Sequence, residues 1–435
     1  MVEALYSRDG DLGAEIGREA LAGRFQAVRS LTTGLVASLS PEDQLIQSMP
    51  EANPAKWHLA HTTWFFEAYV LARLQPGYVP FDDRFAEVFS ATADSSGPHL
   101  PHDRRGLLSR PDAAEVARYR DQINAQVMHL IHQVPERNWA MAARLIQLCL
   151  THERQHQEQI LTDIKHAFWS SPLAPAYRAN GHPAPAATCG PSRWFGHPGG
   201  PVEIGVERPN GAGSIFDTDT PRHSVHLAPF RLAGRPLTCG EYLAFVEGGG
   251  YANADLWLAD GWEIAQAQGW RAPLYWERRN GQWWIFTLHG RRPLDPAEPV
   301  CHVSFYEADA FARWANRRLP TEVEWEAMAA GCPVTGNLLD GGHLHPATSC
   351  CVSDGPWQMF GDVWEWTASP FAPYPGYRAK GSAFPEGPAR FMVNRMVIRG
   401  GSCCTPSDYI APSTRHCLQP AARWQFTGIR LAEDA

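Results

Sequence analysis

Two kinds of hydrophobic patterning divide the chain. Up to about residue 172, apolar positions recur every three or four residues in long segments that carry proline only at their starts, the spacing of one face of an α-helix. This predicts helices over 12–39, 54–75, 112–134 and 136–169. The flanking residues agree: Asn53 followed by Pro54 supplies an N-cap and a first-turn proline, and Pro111-Asp112 opens the third helix. Four long helices with apolar stripes imply a bundle. The stretch SSPLAPAYRANGHPAPAATCGPSRWFGHPGGP sustains neither regular element, so 173–200 reads as a linker between a helical unit, 1–172, and a second unit, 201–435. In that second unit short runs alternate with Gly/Pro/Asn turns, and only 239–247 and 304–317 are helical, which predicts an α+β domain rich in irregular loops. The chain shows no internal repeat.

The stripes place chemistry in the bundle core. In the fourth helix the inward face runs Leu145, Cys149, His152, His156, Ile160, Ile164, Ala167, and in the second it runs Trp57, His61, Trp64, Phe65, Ala68, Ala72. His61, His152 and His156 therefore converge, either as core histidines bonded to neighbours or as neutral imidazole ligands of a metal. His58 falls outside its stripe and is expected to be solvated or behind a ligand. The segment HERQH, 152–156, matches the zinc-protease pattern HExxH. Such proteases need a third ligand downstream, yet position 162 is Thr, position 159 is Gln, and no Asp or Glu occurs from Ile164 through Val202. The zinc-protease reading fails, and Glu153, off the stripe, is expected to face solvent. Three histidines with open positions suit Fe(II) and dioxygen, by analogy with the two-histidine, one-carboxylate triad.

Composition narrows the alternatives. Of 435 residues, 44% are hydrophobic and 19% charged, a globular balance. The net charge of −8, with no basic run, argues against nucleic acid as the main partner. The N-terminus lacks the basic and apolar blocks of a secretion signal, and no apolar run is long enough to span a bilayer, so a soluble, cytoplasmic protein without a membrane partner is expected. The ten cysteines form no CxxC, and reduced thiols are expected.

The segments WHLAHTTWFFEAYVL, RRGLLSRP, HERQHQEQIL, RRLPTEVEWEAMA, GDVWEWTASPF, VIRGGS and RWQFTGIRLAED, in this order, resemble the ergothioneine-biosynthesis sulfoxide synthases. The resemblance covers nearly the whole chain. It implies a DinB-like helical bundle followed by a formylglycine-generating-enzyme-like domain of C-type-lectin type. It also implies non-haem Fe(II) held by His61, His152 and His156, Gln155 against the betaine hercynine, and dioxygen as cosubstrate in joining sulfur to C2 of hercynine's imidazole as a sulfoxide. DVWEW and RWQF, with Trp364, Trp366 and Trp424, are candidates for an aromatic cage around the trimethylammonium group, Trp364 and Trp366 being alternatively core. Arg104 and Arg105 match the family's basic motif and are candidates to grip an anionic cosubstrate.

Departures from the family pattern bear on the second substrate. Where many members carry NSYYEAVG, this chain has Ser90-Ala91-Thr92-Ala93, without tyrosine, and the usual RNF is Arg415-His416-Cys417, which makes His416 a candidate substrate contact. These changes, with DSSGPH as a source of sugar-binding hydroxyls, favour the selenoneine synthase branch, in which a selenosugar donates selenium to hercynine. The alternative donor is a thiol, cysteine or γ-glutamylcysteine. If a tyrosine still donates protons or electrons, Tyr374 and Tyr377 in FAPYPGY are the candidates. Formylglycine formation is excluded because the positions three and eight beyond Ser402 hold Thr405 and Ile410 rather than cysteines. A non-catalytic metal- or ligand-binding stress protein stays open. Nothing in the sequence speaks to oligomeric state.

Overall fold

The helix-period stripes become four long helices in the computed structural model, which describes residues 16–90, 100–179, 190–207, 217–349, 354–377 and 392–435. They are α1 (Arg18–Val36), α2 (Ala55–Phe66), α3 (Ala113–Gln133) and α4 (Glu136–Ser170). Asp112 caps α3 as expected, accepting from the Glu115 amide at 2.8 Å. Asn53 does not cap α2. Its side-chain oxygen instead accepts from Arg105 Nη1 at 2.6 Å, and Pro54 occupies the cap position. The predicted inward stripe of α2 holds through Phe65 and then fails. A π turn at Glu67–Leu71 inserts an extra residue, which rotates the helix face and leaves Ala68 half-buried and Ala72 exposed. The turn aims Glu67 inward, where its carboxylate accepts from Tyr78 and Tyr119 hydroxyls and the Phe81 amide.

In the second unit twelve short strands are described, in four small sheets. β1 (Trp194–His197), β4 (Phe230–Ala233) and β12 (Ala432–Asp434) form one, and β2 (Gly200–Ile204) pairs with β3 (His223–Leu227). The meander β5 (Trp276–Arg279), β6 (Gln282–Thr287), β7 (Gly290–Pro293) forms another. The fourth orders β10 (His416–Leu418), β9 (Met396–Arg399), β8 (Trp364–Pro370) and β11 (Thr427–Gly428), with β11 parallel to β8. Both anticipated helices are present, α5 (Cys239–Glu247) and α7 (Phe305–Trp314), and two more are found, α6 (Ala259–Ala267) and α8 (Glu322–Ala329). Helices α5, α7 and α8 each begin with a capping box, Thr238/Glu241, Ser304/Glu307 and Thr321/Glu324. The segment 173–200 is not a free linker. Tyr177 is buried and donates its hydroxyl to Leu35 carbonyl at 2.6 Å, and β1 lies inside the stretch. Among the described residues no helix is long and apolar enough to cross a membrane.

Helix α4 is the element shared by both units. One face packs on α1 and α2, while its other faces meet the second unit, so a single hydrophobic cluster runs from the bundle to Tyr275, Phe286, Cys301, Val363, Cys403, Cys404 and Phe426. Cys403 and Cys404 are fully buried, their sulfurs 4.0 Å apart, and the described cysteines form no disulfide. The seam also buries Lys165, whose ammonium donates to His302 Nε2 at 2.6 Å and lies over the Phe426 and Tyr275 rings. Burial pushes the Lys165 pKa down to about 8 from 10.5. Between these values the unfolded chain holds the proton that the folded chain has released, so stability rises as pH climbs through that window. The size is about 3 kcal/mol, from ~1.4 kcal/mol per pH unit. Lys165→Met is expected to remove this rise relative to the unsubstituted protein. Denaturant titrations from pH 7.5 to 10.5 check it, and parallel pH profiles would refute it.

Candidate metal centre and active site

Two neighbouring helices bring the three histidines together. His152 and His156 sit one turn apart on α4, and His61 reaches them from α2. His152 Nε2 lies 3.3 Å from His61 Nε2 and 3.1 Å from His156 Nε2. His61 and His156 are buried and His152 half-buried. His61 Nδ1 donates to the Phe89 carbonyl at 2.5 Å, which leaves its Nε2 as a lone pair. Burial, reinforced by the neighbouring imidazoles, holds His156 neutral, well below the usual histidine pKa. Three imidazole Nε2 atoms this close converge on one point that a cation can occupy. Cis ligands about 2.0–2.1 Å from a metal stand roughly 3 Å apart, so the separations fit, and this trio is the metal-competent cluster among the described residues.

Stacking fixes the ring planes. Trp57 lies on His61 with centroids 4.4 Å apart and planes 10° apart, and Phe65 lies on His152 at 3.9 Å and 14°. The i,i+4 spacing of Trp57 and His61 on α2 produces the first contact, and the second crosses from α2 to α4. Arg105 closes the stack, its guanidinium carbon 3.7 Å from the Trp57 centroid.

Of the two places expected for His58, solvated or behind a ligand, the structure shows the second: fully buried, it bonds His156 Nδ1 through its own Nδ1 at 2.8 Å and Asp163 Oδ2 through Nε2 at 3.0 Å. The expectation for the neighbouring glutamate is corrected. Glu153 does not face solvent. It is 0% exposed and pairs with Arg29 at 2.8 Å and Arg120 at 2.5 Å, and despite the upward push of burial these arginines hold its pKa at about 2. The stripe argument failed here because α4 is covered on nearly all sides, so its polar residues needed partners instead of water.

The half-buried face of α4 opens on a small cavity lined by Gln155, Glu158, Gln159, Trp364, Tyr409, His416 and Gln425. The second unit supplies the last four, and a hydrogen-bonded seam positions them. Glu158 accepts from Trp364 Nε1 at 2.8 Å, Ser402 Oγ at 2.6 Å and Thr405 Oγ1 at 2.8 Å, while burial pushes its pKa up. Gln155 Nε2 donates to the Tyr409 hydroxyl at 2.8 Å, and Arg154 pairs with Asp408. The turn before Ser402 requires glycine: Gly400 has φ +95°, and a Cβ there would stand 2.6 Å from the Met359 carbonyl.

Of the sequence candidates, Gln155, Trp364 and His416 line the cavity. The His416 ring lies 5.5 Å from that of Trp364, and burial pulls its pKa to about 4, so it is neutral near pH 7. Trp366 is core, its Nε1 bonded to the Val303 carbonyl. Trp424 packs against the core, and its neighbour Gln425 lines the cavity instead. Arg104 is exposed. Arg105 spends its guanidinium on Asn53 and Trp57 inside the bundle, not on the cavity. Tyr374 is buried between His223 and Arg415, and neither it nor Tyr377 lines the cavity. The tyrosine that does is Tyr409, carried by a 3₁₀ turn at Ser407–Tyr409 that no sequence periodicity announces. Gln159 was within reach of sequence reasoning, because 152, 155 and 159 continue one helical face. Ser90 is buried, while Ala91, Thr92, Ala93 and the DSSGPH segment lie outside the described residues.

Comparisons with known proteins agree with this two-part architecture. Residues 24–160 match the DinB superfamily, and 195–353 and 342–435 match the sulfatase-modifying factor enzyme 1-like domain. The hercynine oxygenase of Mycolicibacterium smegmatis is 32% identical over 96% of this chain and 100% of its own length. That of Mycobacterium tuberculosis is 31% identical over 96% and 99%. A formylglycine-generating enzyme of Streptomyces coelicolor is 30% identical over 60% of this chain. The chain belongs to the hercynine oxygenase family of oxidoreductases, with a DinB-type helical unit and a sulfatase-modifying-factor-type unit meeting along α4.

Proposed function

We propose that the protein joins a sulfur donor oxidatively to hercynine, with Fe(II) held by His61, His152 and His156 and dioxygen as oxidant. The observation that carries this reading is the convergence of three imidazole Nε2 atoms on two helices, one of which also carries Gln155 into the wall of a cavity completed by the second unit. Hercynine oxygenases match over nearly the full length, so a thiol such as cysteine or γ-glutamylcysteine is favoured over the selenosugar that the tyrosine-free sequence at 90–93 suggests. In the overall reaction the hercynine C2–H and thiol S–H bonds break and a C–S bond forms. One oxygen atom goes to sulfur and the other leaves as water, so dioxygen accepts four electrons.

Bound iron supplies one-electron activation of dioxygen. The chain's own residues do the placing. Gln155, held by Tyr409, offers its amide to the hercynine imidazole, and because Tyr409 accepts from Gln155 its hydroxyl proton stays available to the cavity. Trp364 gives an aromatic wall to the trimethylammonium group, an attraction of about 0.5–2 kcal/mol. Neutral His416 beside it adds no repelling charge. The seam through Glu158 keeps the two halves of the cavity in register, the positional accuracy on which reaction between bound partners depends.

Protein loaded anaerobically with Fe(II) is expected to consume oxygen only with hercynine and a donor both present. Product mass spectra with cysteine, γ-glutamylcysteine or a selenosugar assign the donor. Turnover confined to the selenosugar would reverse the choice of sulfur, and no hercynine-dependent oxygen uptake with any donor would refute the synthase reading. Gln155→Ala is expected to raise the hercynine KM roughly tenfold, the worth of one hydrogen bond to a bound ligand. An unchanged KM would remove Gln155 from the hercynine site.

A further inference from the structure

The metal ligand His156 does not end its contacts at the metal side. Its Nδ1 meets His58 Nδ1 at 2.8 Å, His58 Nε2 meets Asp163 Oδ2 at 3.0 Å, and the same oxygen accepts the Asn53 amide at 2.9 Å. Asn53 in turn accepts from Arg105, whose guanidinium lies on Trp57, which stacks on His61. His58 is 0% exposed, and Asp163 and Arg105 are buried.

Only one set of tautomers fits this row. His156 Nε2 faces the other two Nε2 atoms, so as a ligand it carries a lone pair there and its proton sits on Nδ1. His58 Nδ1 must then accept, which puts the His58 proton on Nε2, where it donates to the Asp163 carboxylate. The reverse order puts the His156 proton into the metal site and turns a bare His58 Nε2 lone pair toward a carboxylate. We infer that Asp163 and His58 are positioning residues that lock His156 in the metal-binding tautomer and raise its basicity, with Asn53 and Arg105 holding Asp163 and the His61 stack in place. The row gives a buried ligand the carboxylate partner that metal-bound histidines use, with one extra imidazole inserted between them. It also assigns Arg105 to the metal site's support.

The inference rests on His61, His152 and His156 being the metal ligands, and the test separates the two ideas. The full-length protein is titrated with Co(II), whose visible absorption reports both occupancy and ligand field. His58→Phe keeps the ring but loses both hydrogen bonds, and is expected to weaken Co(II) binding roughly 10–100-fold and to shift the band. His58→Asn presents a side-chain oxygen where Nδ1 stood, and is expected to return affinity to within a few-fold of the unsubstituted protein. Should His58→Phe not fold, Asp163→Asn removes the charge at nearly constant shape and is expected to cost about tenfold. Unchanged affinity and spectrum in His58→Phe or Asp163→Asn would overturn the inference. So would His58→Asn losing as much as His58→Phe, since packing alone would then explain both. Undiminished Co(II) binding by His61→Ala would instead refute the ligand assignment itself.

Discussion

His61→Ala is expected to abolish iron loading and, with it, hercynine-dependent oxygen uptake. The cluster is three imidazoles with no carboxylate, so each ligand carries about a third of the bonding and no carboxylate charge compensates a loss. Removing a partner behind a ligand already costs roughly 10–100-fold in affinity, and removing the ligand itself should cost more. His61 is the most informative of the three because it alone comes from α2. Its loss leaves an i,i+4 pair on α4 that single-helix geometry can still place, so any residual binding reports what two ligands achieve. The side chain is also clamped on both flanks, by the Trp57 stack and the Phe89 carbonyl, so the alanine variant leaves a defined gap. Iron stoichiometry after anaerobic loading and desalting measures this. Wild-type stoichiometry in His61→Ala would move the metal elsewhere.

Glu153→Ala is expected to destabilise the fold by about 3–5 kcal/mol, the usual cost of removing one partner from a buried ion pair. Among the described residues Glu153 is the carboxylate that pairs with two guanidiniums: Arg29 on α1 and Arg120 on α3 both turn inward to it on α4, and Arg29 also donates to Thr63 on α2. One carboxylate thus ties together all four helices of the bundle. Without it two buried positive charges face each other, which is more costly than an apolar replacement of the whole set. Replacing Arg29, Arg120 and Glu153 together by apolar residues of similar volume should therefore cost less than Glu153→Ala alone. Chemical denaturation of the single and triple variants tests this, and a change under 1 kcal/mol in Glu153→Ala would show that the pair is not buried in solution. The protease-like glutamate of HERQH is thereby a structural strut. It takes no part in acid–base chemistry.

Helix periodicity told which residues enter the bundle core, and that was enough to find His61, His152 and His156. It could not tell what surrounds a helix covered on several sides. On α4 the residues between the stripes, Glu153, Arg154, Gln157, Glu158 and Lys165, are buried as well, each against a partner far away in the chain. For His58 the spacing left solvent and a place behind a ligand both open, and its two partners on α4 decide for the second. The capping box of Thr321 and Glu324 made helix α8 legible in principle, whereas the π turn in α2, which displaced Ala68 and Ala72 from the core face, leaves no mark in the hydrophobic pattern.

The sequence by itself determined the two-part organisation, through its change of composition near residue 172, the family likeness, through its motifs, and the four long helices with the inward place of His61, His152 and His156. The last two follow from short-range spacing, because side chains three and four residues apart share a helix face whatever lies beyond it. Tertiary structure alone decided which polar groups meet across the seam. It placed Tyr409 rather than Tyr374 or Tyr377 at the cavity, turned Arg105 onto Asn53 and Trp57 and buried Glu153 and His58. Those outcomes depend on contacts between residues separated by up to about 250 positions, such as Gln155 with Tyr409 and Glu158 with Ser402. Burial without water obliges each such group to find a partner, and only the packed chain shows which one it finds.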